Sequence, residues 1–287
     1  MLFEIILLAV IQGVSEFLPI SSSGHLTLFQ HVLEIQTDAS LVTILLHAGT
    51  LVSILIYYYK DIWRMISFQD PNTLRAVVIG TIPLVIGGVF LKKLLDFAGE
   101  NLWVVGIGFL TSFAFLVFVF RRDTGSVEER NISAKTAFWV GLTQCLAVIP
   151  GISRSGSTIS SATRGGISRA QAAKFSFFLG IPAIMGAIVL EAGSIVKDYV
   201  REQDKGPQVI EVQTSSLESS LETPKIEVVT ERSFTFFELF IGFVCSALVG
   251  YVSIVILIKV LSKNGFQYFG YYCLLMFFVT LWQIFKG

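Results

Sequence analysis

Apolar residues run in long blocks along this chain, and the blocks have the length of membrane-crossing helices. A helix crossing a bilayer core of about 30 Å needs roughly 20 mostly apolar residues. Residues 41–59, 102–120, 234–261 and 266–285 meet that requirement directly. Residues 75–91 and 170–190 meet it with an internal proline, Pro83 or Pro182, which membrane helices accommodate as a kink. The first block, 2–18, lacks a basic flank, carries Glu4 and runs into Pro19 and serines without a small-residue cleavage pattern. It reads as a retained helix, not a secretory signal. The pattern predicts an all-α integral membrane protein, a polytopic helical bundle.

Two apolar regions are broken at their centres. Residues 3–34 are interrupted at Pro19-Ile20-Ser21-Ser22-Ser23-Gly24-His25, and residues 136–165 at Pro150-Gly151-Ile152-Ser153-Arg154-Ser155-Gly156-Ser157. The helices flanking the second break are too short to span, since about 14 residues reach only about 21 Å. Such pieces enter and turn back, and their non-helical backbone must be buried in protein or line a wet cavity. Both are read as re-entrant helix-loop-helix hairpins. Each break has Pro followed by Ser-x-Ser-Gly, a preceding glutamine (Gln12 or Gln144) and a following span with an internal glycine (Gly49 or Gly180). The chain therefore reads as a duplication, 1–130 and 131–287, of the inverted kind that sets broken helices face to face. Residues 60–75 and 121–135 read as charged loops, and about 197–232 as a polar, acidic insertion without assigned chemistry.

Composition sharpens the class. Charged residues make up 15% of the chain, against about 25% in soluble domains, and mean hydropathy is +0.72. Twenty-one basic residues balance twenty-one acidic ones, which leaves no basic excess for nucleic acid. Cys145, Cys245 and Cys273 are widely spaced in apolar segments and read as small buried hydrophobes.

Ionisable residues at membrane depth are costly and mark sites. Here they are Glu16, His25, His47 and Arg154, with Glu191 and Glu238 more peripheral. His47, on an apolar helix, reads first as a core histidine. The two breaks offer hydroxyls from Ser21, Ser22, Ser23, Ser153, Ser155, Ser157 and Thr158, glycines at 24 and 156 for close backbone approach, and two helix N-termini. Arg154 adds a forked cation suited to phosphate oxygens. This is an oxyanion cradle. Glu16 does not suit anion binding alone; it implies a bridging divalent cation or proton transfer. His25 beside serines suggests a nucleophile with its activator, or a general acid. A phosphate-bond hydrolase is the leading reading. A transporter or flippase for phosphate or polyprenyl phosphate is the rival, because broken helices in inverted repeats are also a transporter design.

The stretch from Gln12 to His25 and the stretch from Pro150 to Thr158 resemble the two signatures of the bacterial undecaprenyl-diphosphate phosphatase family, the bacitracin-resistance type. The resemblance extends to His47-Ala48-Gly49-Thr50 and to Phe175 through Pro182. It implies hydrolysis of a C55 polyprenyl diphosphate to the monophosphate and inorganic phosphate, which recycles the lipid carrier of peptidoglycan synthesis and confers bacitracin resistance. It also implies Mg²⁺ or Ca²⁺ as cofactor and the bacterial inner membrane as location, with the site toward the periplasm. By position, Glu16, Ser22, His25 and Arg154 are the implied catalytic residues, with Glu16 also the metal-linked one. Gln12, Ser21, Ser23, Gly24, Ser153, Ser155, Gly156 and Thr158 are the implied substrate-binding residues. Gln12 carries no charge, so a metal site of two carboxylates at these positions is not implied, and Glu16 would carry the metal-linked role alone. Self-association into homo-oligomers is left open.

Overall fold

The computed structural model describes residues 2–33, 39–98, 101–120, 132–204, 235–263 and 265–286. The expected domain boundary at 130/131, most of the loop 121–135 and the insertion from 205 to 232 lie outside the described residues. Within them the chain is all α: α1 (Leu2–Phe17), α2 (Ser22–Val32), α3 (Ala39–Tyr57), α4 (Tyr59–Ile66), α5 (Pro71–Ala98), α6 (Leu102–Ala114, extended by a π-helical turn Phe115–Val119), α7 (Ala134–Leu146), α8 (Arg154–Arg164), α9 (Arg169–Asp204), α10 (Phe236–Ser262) and α11 (Phe266–Lys286).

Five helices contain stretches long and apolar enough to cross a membrane: Pro71–Gly88, Leu102–Val119, Arg169–Lys197, Phe236–Ser262 and Phe266–Lys286. A sixth candidate is the pair Leu41–Tyr57 and Tyr59–Ile66, bent by 83°. Pro83 and Pro182 both sit inside helices. Large apolar side chains such as Phe118, Val189 and Phe285 lie exposed on the outside, as lipid contact requires.

Two expectations need correction. Residues 60–75 are not a loop: α4 occupies the first part and α5 begins at Pro71. In α4, Met65 is buried and Ile62 packs against the core, while Lys60 and Arg64 face outward, an amphipathic spacing that favours a helix lying across the bundle end. The insertion also starts later than 197, because α9 continues to Asp204.

Contacts between helix ends fix the course of the chain. Lys174 at the start of α9 pairs with Asp61 of α4 at 2.9 Å, and Arg169 donates to the Leu261 carbonyl at the end of α10. Asn72 and Arg75 at the start of α5 line one cavity with Ser133 and Ala134 at the start of α7. These ends therefore share one end of the bundle. The opposite end gathers the starts of α1 and α10, where a Cβ on Gly242 would lie 2.8 Å from Ile5, and the Trp103–Phe285 contact between α6 and α11.

In each broken pair the two helices lie against one another. Gly165, just past α8, lies against Thr136 in the first turn of α7, so α8 returns to where α7 began. In the other pair, Leu26 of α2 shares an apolar cluster with Leu8 and Ala9 of α1, and Leu28 clusters with Val105 near the start of α6. Each pair is clasped by a helix distant in the chain: α1 packs on α10 and α7 on α5. Small residues make the crossings close. A Cβ on Gly141 of α7 would lie 2.1 Å from the Gly80 carbonyl of α5, and one on Gly13 of α1 2.8 Å from Val249 of α10. The tips of both pairs are thereby pressed together inside the bundle.

Candidate active site

The two breaks are built alike. Ser21 caps α2 by accepting from the Gly24 amide at 3.3 Å, and Ser153 caps α8 by accepting from the Gly156 amide at 3.1 Å. The Ser21–Ser23 hydroxyls are 3.4 Å apart and the Ser153–Ser155 hydroxyls 3.3 Å. Serine is favoured at such caps because its oxygen satisfies an orphan helix N–H. The tips touch: Ser155 donates to the Leu18 carbonyl, and Gly24 lies so close to Gly151 that a Cβ would come within 2.8 Å of its Cα. Gly24 and Gly151 serve this approach, while the amides of Gly24 and Gly156 are engaged by the capping serines. Gly151 has φ +90, a conformation glycine adopts without penalty.

Both helices begin with a residue that reaches the same carboxylate. Ser22, the first residue of α2, donates its hydroxyl to Glu16 Oε2 at 2.6 Å. Arg154, the first residue of α8, pairs through Nη2 with Glu16 Oε1. Gln12, one turn before Glu16 on α1, donates from Nε2 to Oε2 at 3.1 Å. Glu16 is buried in the last turn of α1, so a charge there requires these partners. Arg154 lies flat against α9, where a Cβ on Gly180 would fall 2.0 Å from its Nη1. Thr158 donates to the Arg154 carbonyl and accepts at 2.6 Å from the hydroxyl of Ser176, one turn before Gly180. It braces α8 against α9 below the arginine.

The sequence reads His47 first as a core histidine. It is instead part of the site: Nδ1 donates to the Thr43 carbonyl at 2.8 Å, and Nε2 stands 3.9 Å from Glu16 Oε2. His25 is buried close by, but neither ring nitrogen bonds Ser22. Its Nδ1 lies 2.7 Å from the Ser21 carbonyl and its Nε2 2.8 Å from the Tyr272 hydroxyl on α11. Tyr272 and Gly180 both escape a reading of motifs. Tyr272 is 247 positions from its partner, with no signal in its own neighbourhood. Gly180 is visible only as an internal glycine.

Among the described residues no three His, Cys, Asp or Glu side chains converge as a ready-made metal site. The available donors are oxygens, the Glu16 carboxylate and the buried Gln12 Oε1, which accepts no hydrogen bond. Hard cations such as Mg²⁺ take one or two carboxylates and complete their shell with water and substrate phosphate. The donor set fits that mode of binding.

Fold and site thus define a polytopic helical membrane protein whose polar centre is made by two pressed-together helix breaks. The particular family follows from comparison: the model of the bacitracin resistance protein BacA family matches residues 5–279, and the chain belongs to that family. Among curated relatives, an undecaprenyl-diphosphatase of Desulfosudis oleivorans is 34% identical over 96% of this chain and 96% of its own. One of Methanosphaera stadtmanae is 34% identical over 96% and 95%, and one of Halothermothrix orenii 34% over 95% and 94%.

Proposed function

We propose that the protein is an integral membrane undecaprenyl-diphosphate phosphatase that returns the lipid carrier to its monophosphate form. The reading is supported by the relatives' names over almost the full chain and by one observation above all: Ser22 Oγ donates to a buried carboxylate whose other oxygen is held by Arg154.

The diphosphate headgroup lies between the two breaks, with its isoprenoid tail among the apolar helices. Arg154 exchanges its bond to Glu16 for the phosphate oxygens, in the forked geometry that guanidinium favours. Glu16, released on that side, takes the Ser22 proton at Oε2 as Oγ forms a bond to the terminal phosphorus. The phosphorus–bridging oxygen bond breaks and the polyprenyl monophosphate leaves. Water then cleaves the phosphoserine to inorganic phosphate. Glu16 and Gln12 are the residues that would hold a divalent cation, Mg²⁺ or Ca²⁺, which would supply charge neutralisation at the diphosphate. Ser21, Ser23, Ser153 and Ser155 keep the two tips in register around the headgroup.

The course of the chain supports an inverted repeat with two re-entrant pairs. It also supports an orientation. Lys60, Arg64, Arg75, Lys135, Arg164, Arg169, Lys259 and Lys263 all lie at the end where α9 starts, which the positive-inside rule assigns to the cytoplasm. The α1–α2 pair then opens toward the periplasmic face of the inner membrane.

The test uses purified protein in detergent, where transport cannot be scored. Phosphate released from a polyprenyl diphosphate, abolished by chelator and by Ser22→Ala, is the expected result, with phosphoserine trapped at position 22. No phosphate release would leave the transporter reading. Full turnover in Ser22→Ala would remove the nucleophile.

A further inference from the structure

Ser21 departs from its counterpart in the other half. Its φ is 71 and ψ 102, a conformation that residues with a side chain adopt rarely and at a cost. Ser153, in the same place at the second break, has an ordinary φ of −72. Glycine would relieve position 21, but glycine has no oxygen to cap the Gly24 amide. Something else must hold the strained peptide.

The residue four places on differs in the same way. After Ser153 comes Ser157, whose hydroxyl donates to the Arg154 carbonyl. After Ser21 comes His25, and its Nδ1 lies 2.7 Å from the Ser21 carbonyl, which also accepts from the His25 amide. A carbonyl only accepts, so Nδ1 carries the ring proton. In the neutral ring Nε2 is then an acceptor, and the Tyr272 hydroxyl donates to it at 2.8 Å. Tyr272 also stacks on the imidazole, with rings 4° from parallel and centroids 5.6 Å apart, while Phe109 meets it edge-on at 5.2 Å. The ring is thus fixed in tautomer, tilt and position. The peptide it grips joins Ser21 to Ser22, whose hydroxyl is aimed at Glu16.

We infer that His25 and Tyr272 are positioning residues: together they hold the left-handed Ser21 peptide so that the Ser22 hydroxyl points at Glu16 and the incoming phosphorus, and His25 transfers no proton. The inference rests on the reading of Ser22 as nucleophile. A misaim of about 1 Å is enough to lower turnover by about 100-fold, so a single hydrogen bond to this carbonyl has catalytic weight.

The two roles for His25 predict opposite rankings of its amide replacements. Asparagine sets an N–H where Nδ1 stood but has no acid–base chemistry; glutamine reaches the Nε2 position instead. For positioning, His25→Asn keeps kcat within about 10-fold of the parent, while His25→Gln and His25→Ala lose about 100-fold with KM nearly unchanged. Tyr272→Phe lowers kcat by about 10-fold in the parent and has no effect beside His25→Asn, which needs no partner at Nε2. The melting temperature of each variant in detergent guards against simple misfolding, and it stays near that of the parent for His25→Asn and His25→Gln. A folded His25→Asn that is as inactive as His25→Ala overturns the inference and gives His25 to proton transfer. Ser22→Ala assayed alongside separates the two claims. Full turnover there removes the nucleophile reading itself, whereas loss there with an inactive His25→Asn removes only the role given to His25.

Discussion

At the scale of single residues, the site is one carboxylate shared by two helix starts. The pairing makes Arg154 and Glu16 interdependent in stability as well as chemistry. Arg154→Ala leaves a buried carboxylate uncompensated and is expected to cost about 3–5 kcal/mol. Adding Glu16→Gln removes the orphaned charge and should restore most of the lost thermal stability in detergent while activity stays absent. Melting temperatures of the two single variants and the double variant check this. Gly180 is expected to matter through the arginine alone. A methyl group there would lie 2.0 Å from Nη1, so Gly180→Ala should displace the guanidinium and lower kcat/KM by about 100-fold. In an Arg154→Lys background the same change should add little, and a double-mutant cycle measures the difference. Glu16 and Arg154 were legible from the sequence because charge inside an apolar block is unusual enough to demand a reason. His47 was legible only as one of the ionisable groups at membrane depth, and Tyr272 not at all. Each sits in its own helix as an ordinary polar-tipped residue, and only the packing of α3 and α11 gives it a partner.

At the scale of helices, broken pairs need close crossings because they are too short to be held by lipid on all sides. α7 has 13 residues and α8 has 11, each well under the roughly 20 needed to span. Their place is set by the glycine crossing with α5. Gly141→Val puts branched carbon where the Gly80 carbonyl stands, and should lower stability by at least about 1–3 kcal/mol and shift the second tip away from the first. Reduced melting temperature together with reduced turnover is the expected outcome; a stable, fully active variant would refute this account of the crossing. The breaks were readable in advance, since Pro and Ser-x-Ser-Gly inside an apolar run leave few alternatives. The helix α4 and the long reach of α9 were less so. Charged side chains on an amphipathic surface helix and charged side chains in a loop give the same composition, and the deciding fact is which face finds a core.

At the scale of the whole molecule, each broken pair is supported by a helix far away in the chain, α1 by α10 and α7 by α5. The arrangement predicts a definite topology. A cysteine introduced as Phe236→Cys, at the start of α10, should react with an impermeant thiol reagent applied to intact cells. One introduced as Arg64→Cys, on α4, should react only after the membrane is opened. Labelling in the reverse pattern would invert the proposed orientation. Residue order alone determined that this is a membrane-embedded helical protein with two polar interruptions and a small set of buried ionisable groups, because hydropathy and backbone breaks are local properties. Which groups meet is a different matter. That Ser22 and Arg154 converge on one carboxylate, that His25 faces a backbone carbonyl and a tyrosine instead of the serine hydroxyl, and that Gly180 makes room for a guanidinium were decided by packing between helices far apart in the chain. Hydrogen bonds of that kind depend on fractions of an ångström, which only the folded arrangement sets.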